Sequence, residues 1–338
     1  MKKNKYLIIT VIILVAIAVY FTVTNTNSTL SGKVKTDFAV EDTGSVDKIY
    51  IVNKENQEVL LEKTENGIWR LNKKYIARKD AVEMILRTIH RVRIKSPVPE
   101  SAFETTVKNL AVNAIKAEIY QDGELAKTYY IGGPTQNRLG TFMLLDESEK
   151  PFIVHIPGFR GYLTPRFFIK ESEWRDRTIF KYPYHNIASV TVEQPGKNDK
   201  SFKIKNKGNN QYALISLREN QPVNNFDTVK AKSYLSNFKR ISFDSFVLQI
   251  DSVKKDSILS EKPYFVFTVE DIHGSKNKLA TYKKPGTGLY DAKGNVYEFD
   301  VDYLYAIQND NNEEMLLIQY YVFDPLFKDI DYFIKKEN

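Results

Sequence analysis

The sequence predicts an α+β protein in which two tandem, internally repeated, β-rich lobes follow an N-terminal transmembrane helix. Three observations lead to this prediction. The chain begins with an uncharged stretch, it then shows two series of short alternating strands with one principal helix each, and its hairpin turns indicate antiparallel sheets. The 338 residues exceed the usual size of one domain, and a hydrophobic content of 42% is sufficient for two cores.

The positive charge is concentrated at the N-terminus. The formal net charge of the chain is +7. Residues 1–36 contribute five of these positive charges, because they contain five lysines and no acidic residue. The remaining residues carry 44 basic and 42 acidic side chains. Nucleic-acid-binding proteins concentrate positive charge on a folded surface, so this distribution argues against a nucleic-acid partner. The absence of cysteine excludes disulfides, thiolate catalysis and cysteine-based zinc sites.

Residues 6–23 predict a membrane anchor because 18 consecutive residues carry no charge. As a helix they would span about 27 Å, close to the thickness of a bilayer core. Three lysines precede them, so residues 1–5 are expected in the cytoplasm. A cleaved signal peptide is the alternative, since Ala16-Ile17-Ala18 could serve as a cleavage site. We therefore expect a single-pass inner-membrane protein with a flexible tether over 24–37 and its bulk in the periplasm.

The first predicted lobe covers residues 38–180. Three segments predict strands, and a helix follows over 78–92 because its apolar residues recur at positions i, i+3, i+4 and i+7. The strands are 46–52, 58–63 and 67–72, and the apolar stripe of the helix is Val82, Ile85, Leu86 and Ile89.

The second predicted lobe, residues 181–338, repeats this plan. Its helix over 225–241, with Asn225 as the expected N-cap, repeats the apolar stripe at a constant offset of 149, from 82 to 231. Hairpin turns are expected at Asp122-Gly123 and at His273-Gly274. The closing segments 161–168 and 326–333 align with each other. The strands are 187–193, 201–205 and 211–216, the stripe is Ala231, Tyr234, Leu235 and Phe238, and Phe167-Phe168 match Tyr332-Phe333.

The sequence contains none of the common catalytic or cofactor motifs. It has no H-E-x-x-H zinc motif and no G-x-S-x-G nucleophile elbow, and the glycine-rich segment 132–140 lacks the Lys-Ser/Thr of a P-loop. We therefore expect no catalytic residues, no metal ligands and no cofactor.

One unusual segment, "HIPGFRGYLTPRFF" (155–168), continues into "ESEWRDRTIF" (171–180). Arginine pairs with carboxylates in forked geometry and stacks on aromatic rings, so the segment could bind an anionic ligand or an acidic partner. Two other interpretations remain open: a structural corner, or catalysis by His155 with Glu173 or Asp176. The closing segment of the second lobe keeps the aromatic residues but lacks both glycines and both arginines. The candidate binding residues are His155, Arg160, Tyr162, Arg166, Glu173, Trp174, Arg175 and Asp176.

Several segments carry a resemblance to a known family. "FAVEDTGSVDKIYI", "WRLNKKYIARKDAVEMILRTIHRVRIKSPVP", "KTYYIGGPT", "GTFMLL", "HIPGFRGYL" and "EWRD" resemble the Bacteroidota branch of the bacterial family catalogued as domain of unknown function 4340. The resemblance implies an N-terminally anchored envelope protein without an assigned activity, similar to proteins encoded near ABC-type transport or gliding-motility components. It provides no catalytic residue.

Together these observations predict a non-enzymatic accessory or scaffold protein that binds another envelope component, such as an ABC-type transport or motility complex. The alternative is a glycan- or anion-binding domain, or less plausibly an enzyme, that uses the cluster 155–177. A single hydrophobic run cannot form a translocation pathway, so a transporter subunit could only be an extramembrane part. The sequence does not predict an oligomeric state.

Overall fold

The computed structural model describes residues 36–146 and 148–335. The chain divides into two compact units, of which the first ends at Arg175 and the second begins at Asp176. The sequence predicts this boundary five residues later, between residues 180 and 181.

The transmembrane prediction is corrected. No helix within 36–146 and 148–335 is both long and apolar enough to cross a membrane. The longest described helix has 14 residues, whereas a span needs about 20 apolar ones. The structure therefore does not support a single-pass inner-membrane protein. The predicted span 6–23, its flanking residues 1–5 and most of the tether lie outside the described residues.

The first unit is built on a nine-stranded antiparallel sheet with the order β4-β3-β2-β1-β6-β7-β8-β9-β5. Its strands are β1 Val46–Val52, β2 Glu58–Lys63, β3 Trp69–Leu71, β4 Tyr75–Ile76, β5 Arg93–Pro97, β6 Ile115–Gln121, β7 Glu124–Pro134, β8 Thr141–Leu145 and β9 Phe152–His155. Its helices are α1 Lys79–Arg91, α2 Glu100–Asn113 and the short α3 Glu171–Trp174.

The second unit repeats this topology in a sheet with the order β14-β13-β12-β11-β17-β18-β19-β20-β16. In both sheets the fourth strand in this order shows a register shift at the same place, between Val46 and Lys48 and between Ile187 and Ser189. The strands β10 Thr178–Phe180 and β15 Ile241–Ser242 pair separately. The other strands are β11 Ile187–Glu193, β12 Phe202–Gly208, β13 Gln211–Ser216, β14 Gln221–Val223, β16 Ser245–Phe246, β17 Phe265–Asp271, β18 Lys276–Pro285, β19 Phe299–Gln308 and β20 Leu316–Gln319. The helices are α4 Thr228–Ser236, α5 Ser252–Ser260 and the short α6 Tyr320–Phe323.

The α+β prediction is also corrected, because the two large antiparallel sheets dominate and the protein is mostly β. Within the described residues, each unit has two helices of nine or more residues rather than one principal helix. The sequence analysis missed α2 and α5 because they have no long apolar stripe. Among its residues α2 buries only Thr106 and Leu110, and α5 buries only Ile258.

The principal helices α1 and α4 bury their predicted stripes in the two cores. Val82, Ile85 and Ile89 of α1 are buried, and Leu86 packs against the same core. In the second unit all four stripe residues, Ala231, Tyr234, Leu235 and Phe238, are buried. The expected N-cap Asn225 is wrong: Asp227 caps α4, and its side chain accepts hydrogen bonds from the backbone N–H groups of Val229 and Lys230.

The closing segments align differently from the prediction. The backbone N–H of Arg78, at the start of α1, donates to the carbonyl of Trp174 at 2.6 Å. The N–H of Asp227, at the start of α4, donates to the carbonyl of Phe333 at 2.8 Å. Trp174 and Phe333 are therefore equivalent, and the predicted match of Phe167-Phe168 with Tyr332-Phe333 is wrong. The connections that precede these residues differ in length, so an ungapped comparison of the sequences shifted the register.

Candidate functional site

The segment after β9 is tied to the sheet of the first unit by buried groups. Its Leu163 and Phe167 are buried, and the N–H of Leu163 donates to Thr141 Oγ1 at 2.6 Å. Thr164 Oγ1 donates to the carbonyl of Gly132 at 2.6 Å. At Gly161 a Cβ would lie 2.8 Å from the Phe159 ring, so a larger residue at this position would displace that ring. These residues fix the path of the segment.

The later part of the predicted site also serves the fold. Trp174 is fully buried, and its indole N–H donates to the carbonyl of Phe168 at 3.0 Å. The guanidinium of Arg175 lies 3.9 Å from the centre of the Tyr75 ring. Asp176 is the first residue of the second unit, and it accepts hydrogen bonds from the N–H and Oγ1 of Thr178.

The remaining predicted residues do not form a catalytic pair in the first unit. His155 ends β9, is half-buried and pairs with Arg93 of β5. Glu173 lies in α3, and the described residues show no hydrogen bond or ion pair between it and His155. Tyr162 is half-buried, whereas Arg160 is exposed. The described contacts thus do not pair His155 with Glu173 or with Asp176.

Arg166 of this segment lies near two arginines of α1, Arg87 and Arg91. Its side chain is half-buried, and its Nη1 donates to Thr88 Oγ1 of α1 at 3.2 Å. Its guanidinium lies 4.3 Å from the centre of the Phe159 ring. Arg91 of α1 reaches the same loop, since its Nη2 donates to the carbonyl of Pro157 at 3.2 Å. The helix and the loop together therefore carry one basic surface.

We define the arginine surface as Arg87, Arg91 and Arg166 together with Arg160, the exposed residue that follows Phe159 in the loop. Burial lowers the pKa of Arg166, and the positive charges of Arg87 and Arg91 lower it further. The guanidinium stays protonated near neutral pH, because the ordinary pKa of arginine is above 12. Within residues 36–146 and 148–335, no carboxylate forms an ion pair with these four arginines. The surface therefore carries positive charge that the described part of the chain does not neutralise.

Sequence reasoning missed Arg87 and Arg91 because they lie on the helix, away from the aromatic segment. Their spacing of i and i+4 places them on one face of α1, next to the buried stripe. At the offset of 149 residues that relates α1 to α4, Arg87 corresponds to Ser236. The second unit thus lacks the arginine equivalent to Arg87, in addition to the two arginines that its closing segment lacks.

Residues 69–262 match a family described as Domain of unknown function (DUF4340), and this match covers more than half of the chain. The chain belongs to the DUF4340 family. No curated protein and no solved structure matches it. The matched range runs from the start of β3 to just beyond α5, and it contains all four residues of the arginine surface.

Among the described residues of the first unit, this DUF4340 protein also has several clefts. One of about 440 Å³ lies beside Asp37, Lys127 and Asp146. A polar cleft of about 430 Å³ is lined by Lys95, Ser96, Thr135, Gln136, Asn137 and Ile153. An apolar cleft of about 230 Å³ lies between α2 and the sheet. In the described ranges, no three or more His, Asp or Glu side chains form a group that could hold a metal ion.

Proposed function

We propose that this DUF4340 protein is an accessory protein that binds an acidic segment of another protein through the arginine surface. The observation that carries the proposal is the position of the half-buried Arg166 beside Arg87 and Arg91 without a carboxylate partner. Like charges held close together raise the free energy of the unbound state. An acidic partner removes that repulsion and adds charge-assisted hydrogen bonds.

The chemistry of the surface suits an anionic partner. Guanidinium groups form paired, forked hydrogen bonds with carboxylates and with phosphates. Thr88 and Phe159 hold Arg166 in place, so less conformational entropy is lost when a partner binds. Arg87, Arg91 and Arg160 are exposed and can adapt to the partner.

The shape of the surface favours a protein segment over a small anion. Three of the four arginines are exposed, and none of the four lines the three clefts described above. A sulfated or phosphorylated glycan is the second candidate for the same surface, because its anionic groups suit the same guanidiniums.

A binding experiment with a defined probe tests this proposal. We expect the full chain to bind a fluorescent oligoglutamate peptide, measured by anisotropy at low salt. The triple variant Arg87→Ala, Arg91→Ala and Arg160→Ala is expected to bind at least about tenfold more weakly, since each charge-assisted contact contributes about 1–3 kcal/mol. Its melting temperature should change little, because all three side chains are exposed and the one hydrogen bond that is lost, from Arg91 to the Pro157 carbonyl, lies at the surface.

The matched control removes the same net charge elsewhere in the first unit. Lys79, Lys108 and Lys150 are exposed, and their replacement by alanine should leave peptide binding within about twofold of the original. Equal losses in both triple variants would show non-specific attraction and contradict the proposal. Tighter binding of a sulfated oligosaccharide, lost in the arginine variant only, would favour the glycan alternative.

We also propose that the chain belongs to the Bacteroidota branch of the family and acts beside ABC-type transport or gliding-motility components. The sequence segments around residues 69–98 and 155–163 support this placement. In-cell crosslinking followed by mass spectrometry is the test. A transport or motility component should be captured by the original chain and lost with the arginine variant but not with the lysine variant.

A further inference from the structure

The duplicated topology allows residues of the two sheets to be matched through strand pairing. In each unit one row of paired residues crosses four neighbouring strands of the large sheet. The row starts from β1 in the first unit and from β11 in the second. These rows are Ile51, Ala117, Tyr129 and Leu145 in the first unit, and Val192, Phe267, Leu279 and Gln308 in the second.

Successive residues of a strand point to opposite faces of the sheet. The residues next to these rows in each strand therefore lie on the other face. There Tyr130 pairs with Leu144 in the first unit, and Ala280 pairs with Ile307 in the second. Leu144 and Ile307 are therefore equivalent. Both lie on the face away from the main core, on the side where the second helix, α2 or α5, is found.

The second unit closes this face with apolar side chains. Ile258 of α5 forms a small buried cluster with Tyr305, Ile307 and Met315. Ile307 is only 2% exposed. The helix thus seals the apolar face of its sheet.

The first unit leaves the equivalent place open. Leu144 is only half-buried, and Val107 of α2 is 42% exposed. Between them lies the apolar cleft of about 230 Å³, whose lining includes two charged residues, Lys54 and Glu149. Its other lining residues are Leu110, Ala111, Tyr130 and Pro151.

The second unit has a protruding element that the first unit lacks. The connection between β7 and β8 is short, from Pro134 to Thr141, whereas that between β18 and β19 runs from Pro285 to Phe299. We call residues 286–298 the exposed hairpin. Its turn is fixed by Asp291, which accepts hydrogen bonds from the N–H groups of Lys293 and Asn295. Its four exposed apolar side chains are Leu289 at 53%, Tyr290 at 68%, Val296 at 57% and Tyr297 at 40% exposure.

We propose that the exposed hairpin of one copy docks into the apolar cleft of a second copy, so that the protein assembles head to tail. Each unit has an uncovered apolar feature that its repeat lacks, and the two features are complementary: one protrudes and the other is concave. The charges are also compatible, because the hairpin turn carries one acidic and one basic residue, Asp291 and Lys293, and the cleft lining carries one of each as well, Glu149 and Lys54. Such a heterologous contact gives a closed ring or an open chain of copies.

The test is the mass of the assembly as a function of concentration. The full chain is kept in mild detergent because of its apolar residues 6–23. We expect its mass, measured by light scattering after gel filtration, to rise above that of a monomer with concentration. Val107→Asp in the cleft and Tyr290→Asp in the hairpin should each give monomers at all concentrations, because each places a charge in the apolar contact.

Two controls match these variants in chemistry and exposure. Val112 lies on the same helix, is 65% exposed and does not line the cleft, and Tyr321 is 88% exposed and lies outside the hairpin. Val112→Asp and Tyr321→Asp should assemble like the original chain. Unchanged melting temperatures show that all four variants fold.

Mixing the two monomeric variants gives the sharpest outcome. Val107→Asp keeps an intact hairpin and Tyr290→Asp keeps an intact cleft, so an equimolar mixture should form dimers that do not grow further. A chain that stays monomeric at every soluble concentration would overturn the proposal. The same holds if the mixture remains monomeric, or if the control variants lose assembly as well. Any of these results would mean that the exposed hairpin does not bind a second copy of this chain.

Discussion

Two buried tyrosines, one in each unit, donate hydrogen bonds to backbone carbonyls of core residues that are distant in sequence. Tyr129 Oη donates to the carbonyl of Phe38 at 2.5 Å, and Tyr234 Oη donates to the carbonyl of Leu326 at 2.9 Å. Both side chains are fully buried, and burial raises the pKa of each phenol well above its usual range. In Tyr129 the negative charge of Asp37 adds a smaller upward shift of the pKa.

These buried phenols predict a loss of stability at high pH. In the unfolded chain tyrosine ionises near pH 10, whereas in the folded chain these two stay protonated. Above pH 10 the unfolded state therefore binds fewer protons, and the free energy of unfolding falls by about 1.4 kcal/mol per pH unit for each tyrosine. Urea denaturation at pH 9 and pH 11 should show this fall, and Tyr129→Phe should reduce it. Tyr321→Phe, at an exposed position, should leave the pH dependence unchanged, and an equal effect of both would contradict the explanation.

The helix starts differ between the units, although α1 and α4 are equivalent elements. Asp227 caps α4 with two side-chain hydrogen bonds, whereas Arg78 at the start of α1 makes none of this kind. Asp227→Ala should lower the free energy of unfolding by about 0.5–2 kcal/mol in chemical denaturation. Glu83→Ala is the control, since Glu83 is exposed and its 3.7 Å pair with Lys79 contributes less than about 0.5 kcal/mol. Equal effects would show that the cap is not the cause.

The elements that the sequence predicts are those with strong local patterns. The strands 46–52, 58–63, 187–193 and 211–216 have the predicted bounds, and the helical stripes are buried where the spacing of 3.6 residues places them. The hairpins at Asp122-Gly123 and His273-Gly274 also form. By contrast, β5 and β16 were missed because they are short strands at sheet edges, and pairing with β9 or β20 rather than local composition defines them.

The candidate site was predictable only in part for the same reason. Arg160 and Arg166 lie in a visibly unusual segment, but their association with Arg87 and Arg91 depends on the packing of α1 against the segment after β9. Trp174 and Arg175, chosen for their chemistry, contact Phe168 and Tyr75 within the fold. Composition alone does not separate a guanidinium that stacks inside a unit from one that faces solvent.

At the scale of the whole molecule, the two main cores draw on separate parts of the chain. The buried residues of the first core fall between Phe38 and Trp174, and those of the second fall between Ile179 and Phe333. Fragments 36–175 and 176–338 should therefore each fold alone, with cooperative urea transitions and β-rich circular dichroism spectra. A fragment 36–168, which lacks Trp174, is the control and should lose cooperativity. A non-cooperative transition in either complete fragment would contradict the separation of the cores.

The backbone bonds from Arg78 to Trp174 and from Asp227 to Phe333 have a consequence for synthesis on the ribosome. In each unit the start of the principal helix binds a carbonyl about a hundred residues further on, within the last few residues of that unit. A nascent unit therefore reaches its native hydrogen bonding only when its final turn has left the exit tunnel. The first unit can complete this step while the second is still being translated, so the two similar sheets form one after the other, which limits mispairing between their strands.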